Sequence, residues 1–182
     1  MAKQVKMIIL VGLTGLLALG LAAQKTENPG KAKLAVSIKP QHVADALHAI
    51  IVSHREVYAH AIEGKQVAGL PTPCEMVRRG SEAVASKGVE YAYLLRSLQP
   101  INKRNAPETD MEIKGLEYVA KNPDSFYAKE ELLGGRWYLT AVYPQVAVNQ
   151  SCVQCHKVQP GKSNLKTGDV LGGLVIRIAL EL

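Results

Sequence analysis

Ser125–Pro144, "SFYAKEELLGGRWYLTAVYP", is the stretch that decides the fold. Two runs rich in aromatic and β-branched residues flank Gly134-Gly135. Such runs suit strands, and paired glycines accept the positive φ angles of a tight hairpin turn, so the stretch predicts strand, turn and strand. Working outward, "DVLGGLVIRIALEL" (Asp169–Leu182) reads as a closing strand and "VEYAYLL" (Val89–Leu95) alternates like an earlier one. The expectation is an antiparallel sheet of about four or five strands.

Helical patterns precede and interrupt the sheet. Pro40 sits where proline favours a helix start, and the pattern predicts a helix over Gln41–Glu63 that stops at Gly64. Its expected apolar stripe is Val43, Leu47, Ile50, Val57 and Ala61, with His54 in the middle of the stripe and His48 pointing away. His42, His48, His54 and His60 recur every six residues, which rotates each by about 120° from the last, so they cannot form one metal site. "CEMVRRGSEAVASKG" (Cys74–Gly88) predicts a second helix after the Pro71/Pro73 turn. Pro100–Asp110 reads as a loop, and a helix from about Glu108 to Lys121 follows, halted by Asn122-Pro123. The class is therefore α+β: a half-open antiparallel sheet with a long N-terminal helix and helices packed on one face, compatible with a PAS-like fold.

The chain opens with Lys3 and Lys6, an uncharged apolar run from Met7 to Ala23, and a polar stretch from Gln24. That order is the pattern of a secretory signal, so a periplasmic or otherwise exported protein is expected, with cleavage near Ala23 or retention as a membrane anchor. Residues 24–38 read as a linker and 39–182 as one domain. The roughly 159 residues after Ala23 suffice for a single core. They carry 20 basic and 16 acidic side chains without a basic run or interleaved aromatics, which argues against nucleic acid as a partner.

Cysteine usage is the sharpest chemical signal. There are three, and two stand in "NQSCVQCHKVQP" (Asn149–Pro160) with His156 directly behind them. C-x-x-C-H is the spacing for covalent attachment of haem c: Cys152 and Cys155 each reach one vinyl group, and His156 meets the iron. Two other readings exist, a zinc site completed by Cys74 and a redox dithiol. Export fits haem attachment, and an even cysteine set would be expected if the thiols served stability. With Cys152 and Cys155 consumed, Cys74 is the leftover thiol: a reactive or ligating group, a buried apolar one, or one pairing between molecules.

Several segments together resemble a known family. "LLRSLQPINKRNAPETDME", "GGRWYLTAVYP" leading into "CVQCH", and "KTGDVLGGLVIRIAL" are similar to the c-type-haem PAS-like domains, found as exported single-haem proteins and as sensor domains of signalling proteins. The resemblance runs from about Pro71 to Leu182. It implies a haem bound by His156 on one side and, as in some members, by a cysteine at the start of the helix before the Ser-Leu-x-Pro loop; Cys74 holds that place, twenty-three residues before Ser97. Other members carry an apolar residue after the prolines, which leaves His54 as the alternative ligand and Met76 and Met111 as weaker ones. Arg96 is a candidate partner for a haem propionate, since guanidinium meets carboxylate in a bidentate fork. Trp137 and Tyr143 are candidates to pack on the porphyrin, and Asn102, Asn105 and Pro107 to shape the loop.

The function implied is a redox or small-ligand sensing module that would pass its state to a separate signalling or redox protein. A periplasmic electron carrier is the alternative, with Lys157, Lys162 and Lys166 as a docking patch. A peroxidase would need a distal acid–base pair, for which the sequence offers no clear candidates.

Overall fold

The computed structural model describes residues 39–65 and 69–180. The expected signal segment and linker lie outside the described residues. Among the latter, no helix is long and apolar enough to cross a membrane. Helix α1 spans Pro40–Ala61 and α2 spans Pro73–Ala85. Strand β1 is Tyr91–Arg96, α3 is Asp110–Lys121, β2 is Tyr127–Leu133 and β3 is Arg136–Val146. A short helix α4, Gln150–His156, and strand β4, Val170–Ala179, close the order. A 3-10 turn, Lys103–Asn105, lies in the loop after β1.

The sheet is antiparallel throughout, in the order β1-β4-β3-β2. The α+β, PAS-like arrangement expected from the sequence is the one adopted. The hairpin forms as read: Leu133 pairs with Arg136 across Gly134 (φ 57°) and Gly135 (φ 82°), both in the positive-φ region that glycine tolerates.

One expectation is corrected by the packing. Helices cover both faces of the sheet. On one face Ala141, Tyr143, Leu174 and Ile176 meet Ala44 and Leu47 of α1 and Val77 of α2. On the other, Val142 and Val175 meet Leu116 and Val119 of α3. Alternation explains the split, because residues 141 and 143 face one way and 142 the other. Gly115 lets α3 come close: a Cβ built there would lie 2.5 Å from Val142 Cγ2.

The inner face of α1 also differs from expectation. Ile50 and Val57 are 53% and 70% exposed, and His54 is exposed as well. The helix instead buries Ala44, Arg55 and Ala59. His48 turns inward and stacks on Tyr143 at 4.1 Å between ring centroids. Gln41 and Asp45 complete this contact: Tyr143 donates its hydroxyl proton to Asp45 Oδ1 at 2.6 Å, and Gln41 Nε2 donates to Asp45 Oδ1 at 2.8 Å. The expected stripe thus divides: Val43 and Leu47 pack against the core, while Ile50 and Val57 turn outward and the polar network takes its place beside the sheet.

Candidate functional site

The C-x-x-C-H stretch folds as α4, and its start is locally encoded. Asn149 is the N-cap, its side-chain oxygen accepting from Cys152 N at 3.1 Å. The same side chain donates through Nδ2 to Ala59 O of α1 at 3.0 Å. Val153 is buried against Ala147 and Leu165, which fixes the face of α4 that turns inward. Cys152 and Cys155 are one helical turn apart, and both are free thiols, as is Cys74.

Cys74, Cys152, Cys155 and His156 line one cavity of about 1040 Å³. Its walls come from the C-terminal half of α1, the Leu70–Arg78 approach to α2, the loop Ser97–Asn105 and α4. The volume lies at the upper end of the range of about 300–1,000 Å³ usual for small-molecule and cofactor sites. Among the described residues, no three His, Cys, Asp or Glu side chains converge as a metal-binding group, so the four donors of a compact zinc site are not gathered. They line the wall of one open space instead.

His156 is oriented by its neighbours. Its Nδ1 lies 3.1 Å from Gln159 Oε1, and Gln159 Nε2 donates to the main-chain carbonyl of Gln99. A carbonyl only accepts, so the Gln159 amide must point its nitrogen there and its oxygen at the imidazole. Nδ1 is then the protonated nitrogen, and Nε2 keeps the lone pair a metal needs. Burial pushes the His156 pKa down, which favours the neutral, ligating form. Burial pushes the Cys74 thiol up, opposed by the nearby positive charge of Arg55.

The other residues named from the sequence fall elsewhere. His54, the alternative ligand, is exposed and outside the cavity wall. Met76 packs against the core cluster under α1 and α2, and Met111 is buried on α3. Arg96 does not reach the cavity. It is 4% exposed and held by Glu112 Oε1 (Nε, 3.2 Å), Glu108 Oε2 (Nη2, 2.7 Å) and Arg104 O (Nη1, 3.0 Å). Its place at the end of β1 points it to the α3 face, where its charge is already matched. Trp137 is 42% exposed at the far end of β3, and Tyr143 is committed to α1, so neither lines the cavity. Asn102 shapes the loop as expected, accepting from Arg104 N at 3.0 Å, and both Asn102 and Asn105 line the cavity. Of the lysines after α4, Lys157 and Lys166 are exposed, and Lys162 acts electrostatically on His156; none of the three lines the cavity.

Three contributors carried no motif signal: Arg55, Gln99 and Gln159. Arg55 was legible only as a charge on the inward side of α1, which needs the helix face to be known. Asn149 was legible as an N-cap residue ahead of a short helix.

Residues 33–179 match the family model described as Tll0287-like. That match reaches back over α1, further than the motifs quoted above. The crystal structure of the cyanobacterial haem protein Tll0287 superposes with a TM-score of 0.55 at 17% identity, covering 79% of this chain and 98% of that one. At that identity the likeness is one of fold. No curated protein matches the sequence.

Proposed function

The chain belongs to the Tll0287-like family, and on that premise we propose that it is an exported mono-haem c-type protein acting as a redox or small-ligand sensing module. The observation that carries this reading is the convergence of Cys152, Cys155, His156 and Cys74 on one cavity of about 1040 Å³. The structurally similar Tll0287 is described as a haem protein, which supports the same cofactor here. In maturation each cysteine S–H adds across a vinyl C=C, the sulfur bonding one carbon and the hydrogen the other, with no net oxidation. When bound, the haem supplies a one-electron Fe(III)/Fe(II) couple and a site for small ligands.

The chain's own residues do the rest. His156, fixed through Gln159, offers Nε2 to the iron. Cys74 stands on the first turn of α2, behind Pro71 and Pro73, where its sulfur would serve as a second donor to the iron. Thr72 caps that turn by accepting from Glu75 N at 3.2 Å, so the sulfur is carried by an ordered helix start. A thiolate donor from Cys74 would favour the ferric state of a bound haem.

A second reading, an electron carrier docking an acidic redox partner, is favoured by Cys155 and Lys157 both being exposed beside the cavity. The test is the absorption and EPR spectrum of the purified ferric and ferrous holoprotein, with CO added to the latter. Low-spin thiolate-type ferric spectra and CO uptake on reduction support the sensing module. Failure of the ferrous form to take up CO, with partner reduction that slows as salt rises, favours the carrier. Haem that withstands acid–acetone extraction in the wild type but is partly lost in Cys152→Ala establishes covalent attachment; a colourless, zinc-loaded protein overturns the reading altogether.

A further inference from the structure

Arg55 is a formal cation placed in the interior. It sits in the second half of α1, is 3% exposed and lines the cavity. Its Nη2 donates to Val146 O at 3.2 Å, and its Nε has no hydrogen-bond partner. The buried Arg96 and the half-buried Arg177 differ in having a counter-charge: both pair with Glu112. None of the ion pairs among the described residues includes Arg55, although a desolvated guanidinium without a counter-charge costs several kcal/mol. The position calls for an anion.

The carboxylates nearby are committed. Asp45 is bonded to Tyr143 and Gln41, and Glu75 is paired with Arg78 and Arg79. His48, the other titratable group on this side of α1, is basic. Cys74 remains, and it lines the same cavity as Arg55, on the facing segment at the start of α2. Haem carboxylates are a competing anion, but they lie on the porphyrin edge opposite the thioethers. Lys65 is an exposed cation on the cavity wall, better suited to such solvated groups.

We propose that Arg55 is the charge-compensating partner of the Cys74 sulfur, a positioning residue that sets how strongly this thiolate favours ferric iron. The proposal rests on the reading of Cys74 as the second axial ligand. A cation or N–H donor beside a ligating sulfur withdraws electron density from it and raises the reduction potential. Without Arg55 the sulfur donates more, and ferric iron gains.

The experiment is a double-mutant cycle on the holoprotein, read as the midpoint potential by spectroelectrochemistry. Arg55→Gln is expected to shift the midpoint to more negative values, and Arg55→Lys to shift it less. In a Cys74→Ser background, the Arg55→Gln shift should vanish. A shift of equal size in both backgrounds would assign the guanidinium to a haem carboxylate and overturn the proposal; so would no shift in Arg55→Gln with full haem content. If Arg55→Gln does not retain haem, Arg55→Lys carries the test by the same criterion. The ferric spectrum separates the two layers. Cys74→Ser leaving it unchanged would sink the ligation reading and this proposal with it. A changed spectrum with an Arg55 shift indifferent to Cys74 would sink this proposal alone.

Discussion

Glu112→Gln tests whether the α3 face of the sheet is held by charge. Glu112 is fully buried, and its carboxylate is the hub of a network. Oε1 accepts from Arg96 Nε at 3.2 Å and from Arg177 Nη2 at 2.8 Å, while Oε2 accepts from Glu108 N at 2.6 Å. Glutamine keeps the shape but removes the shared charge, leaving Arg96 with Glu108 alone and Arg177 with the more distant Glu131. Its amide nitrogen also cannot accept, so either the Glu108 N–H or the two arginines lose a partner. Breaking a buried ion pair by neutralising one member costs about 3–5 kcal/mol. At about 3 °C per kcal/mol for a domain of this size, Tm should fall by roughly 10 °C. Urea unfolding of the holoprotein measures it as a lower midpoint with an unchanged slope. Arg96→Met should cost less, because Arg177 still pairs with Glu112, and should leave the haem spectrum unaltered. A Glu112→Gln loss under about 1 kcal/mol, the scale of an exposed pair, would refute the hub; a haem spectrum that changed in Arg96→Met would restore Arg96 to the site.

Three further outcomes follow. Gly115→Val should destabilise by about 1–3 kcal/mol or more through overpacking, since a Cβ alone would meet Val142 Cγ2 at 2.5 Å; thermal unfolding reads it, and an unchanged Tm would mean that α3 can shift away from the sheet. Burial holds the His48 pKa below its ordinary value, partly offset by Asp45 and reinforced by Arg55. The unfolded chain therefore binds the proton first, and stability contributed above about pH 6.5 is lost as pH falls toward the folded-state value. His48→Phe, which keeps a ring over Tyr143, should flatten the fall in stability between pH 7 and 5; an equally steep fall would exonerate His48. Gln159→Leu removes the acceptor at His156 Nδ1, makes the imidazole a weaker donor to the iron and should raise the midpoint potential, with no change expected if Gln159 merely packs.

The sheet was legible because its signals are local. Gly134-Gly135 and the flanking alternation define the hairpin, and the closing strand reads as an apolar run. The grouping of Cys152, Cys155 and His156 was legible for the same reason: the three lie within about one turn of one short helix. The helix faces were not. On α1 the expected stripe divides: Val43 and Leu47 pack against the core, Ile50 and Val57 turn to solvent, and Gln41, Asp45, His48 and Arg55 turn inward. Periodicity assumes that burial tracks hydrophobicity, and that assumption fails where a helix wall serves a polar clasp and a cavity. Arg96 shows the converse: a functional role suggested by its neighbourhood in sequence is displaced by Glu112, sixteen residues on, which only the packing of α3 brings beside it.

Helix α1 joins the cavity to the sheet, and its contacts bear on how a sensing module of this kind would work. Its N-terminal half grips Tyr143 on β3 through Asp45 and His48. Its C-terminal half makes three longer-range bonds around the cavity. Tyr58 donates to Pro71 O at 2.7 Å on the approach to Cys74, Arg55 donates to Val146 O at the end of β3, and Ala59 O accepts from the residue that caps α4. One helix therefore ties three walls of the cavity, the approach to Cys74, the end of β3 and the cap of α4, to the centre of the sheet. A displacement of any one of these walls would be opposed by bonds that the same helix makes to the others.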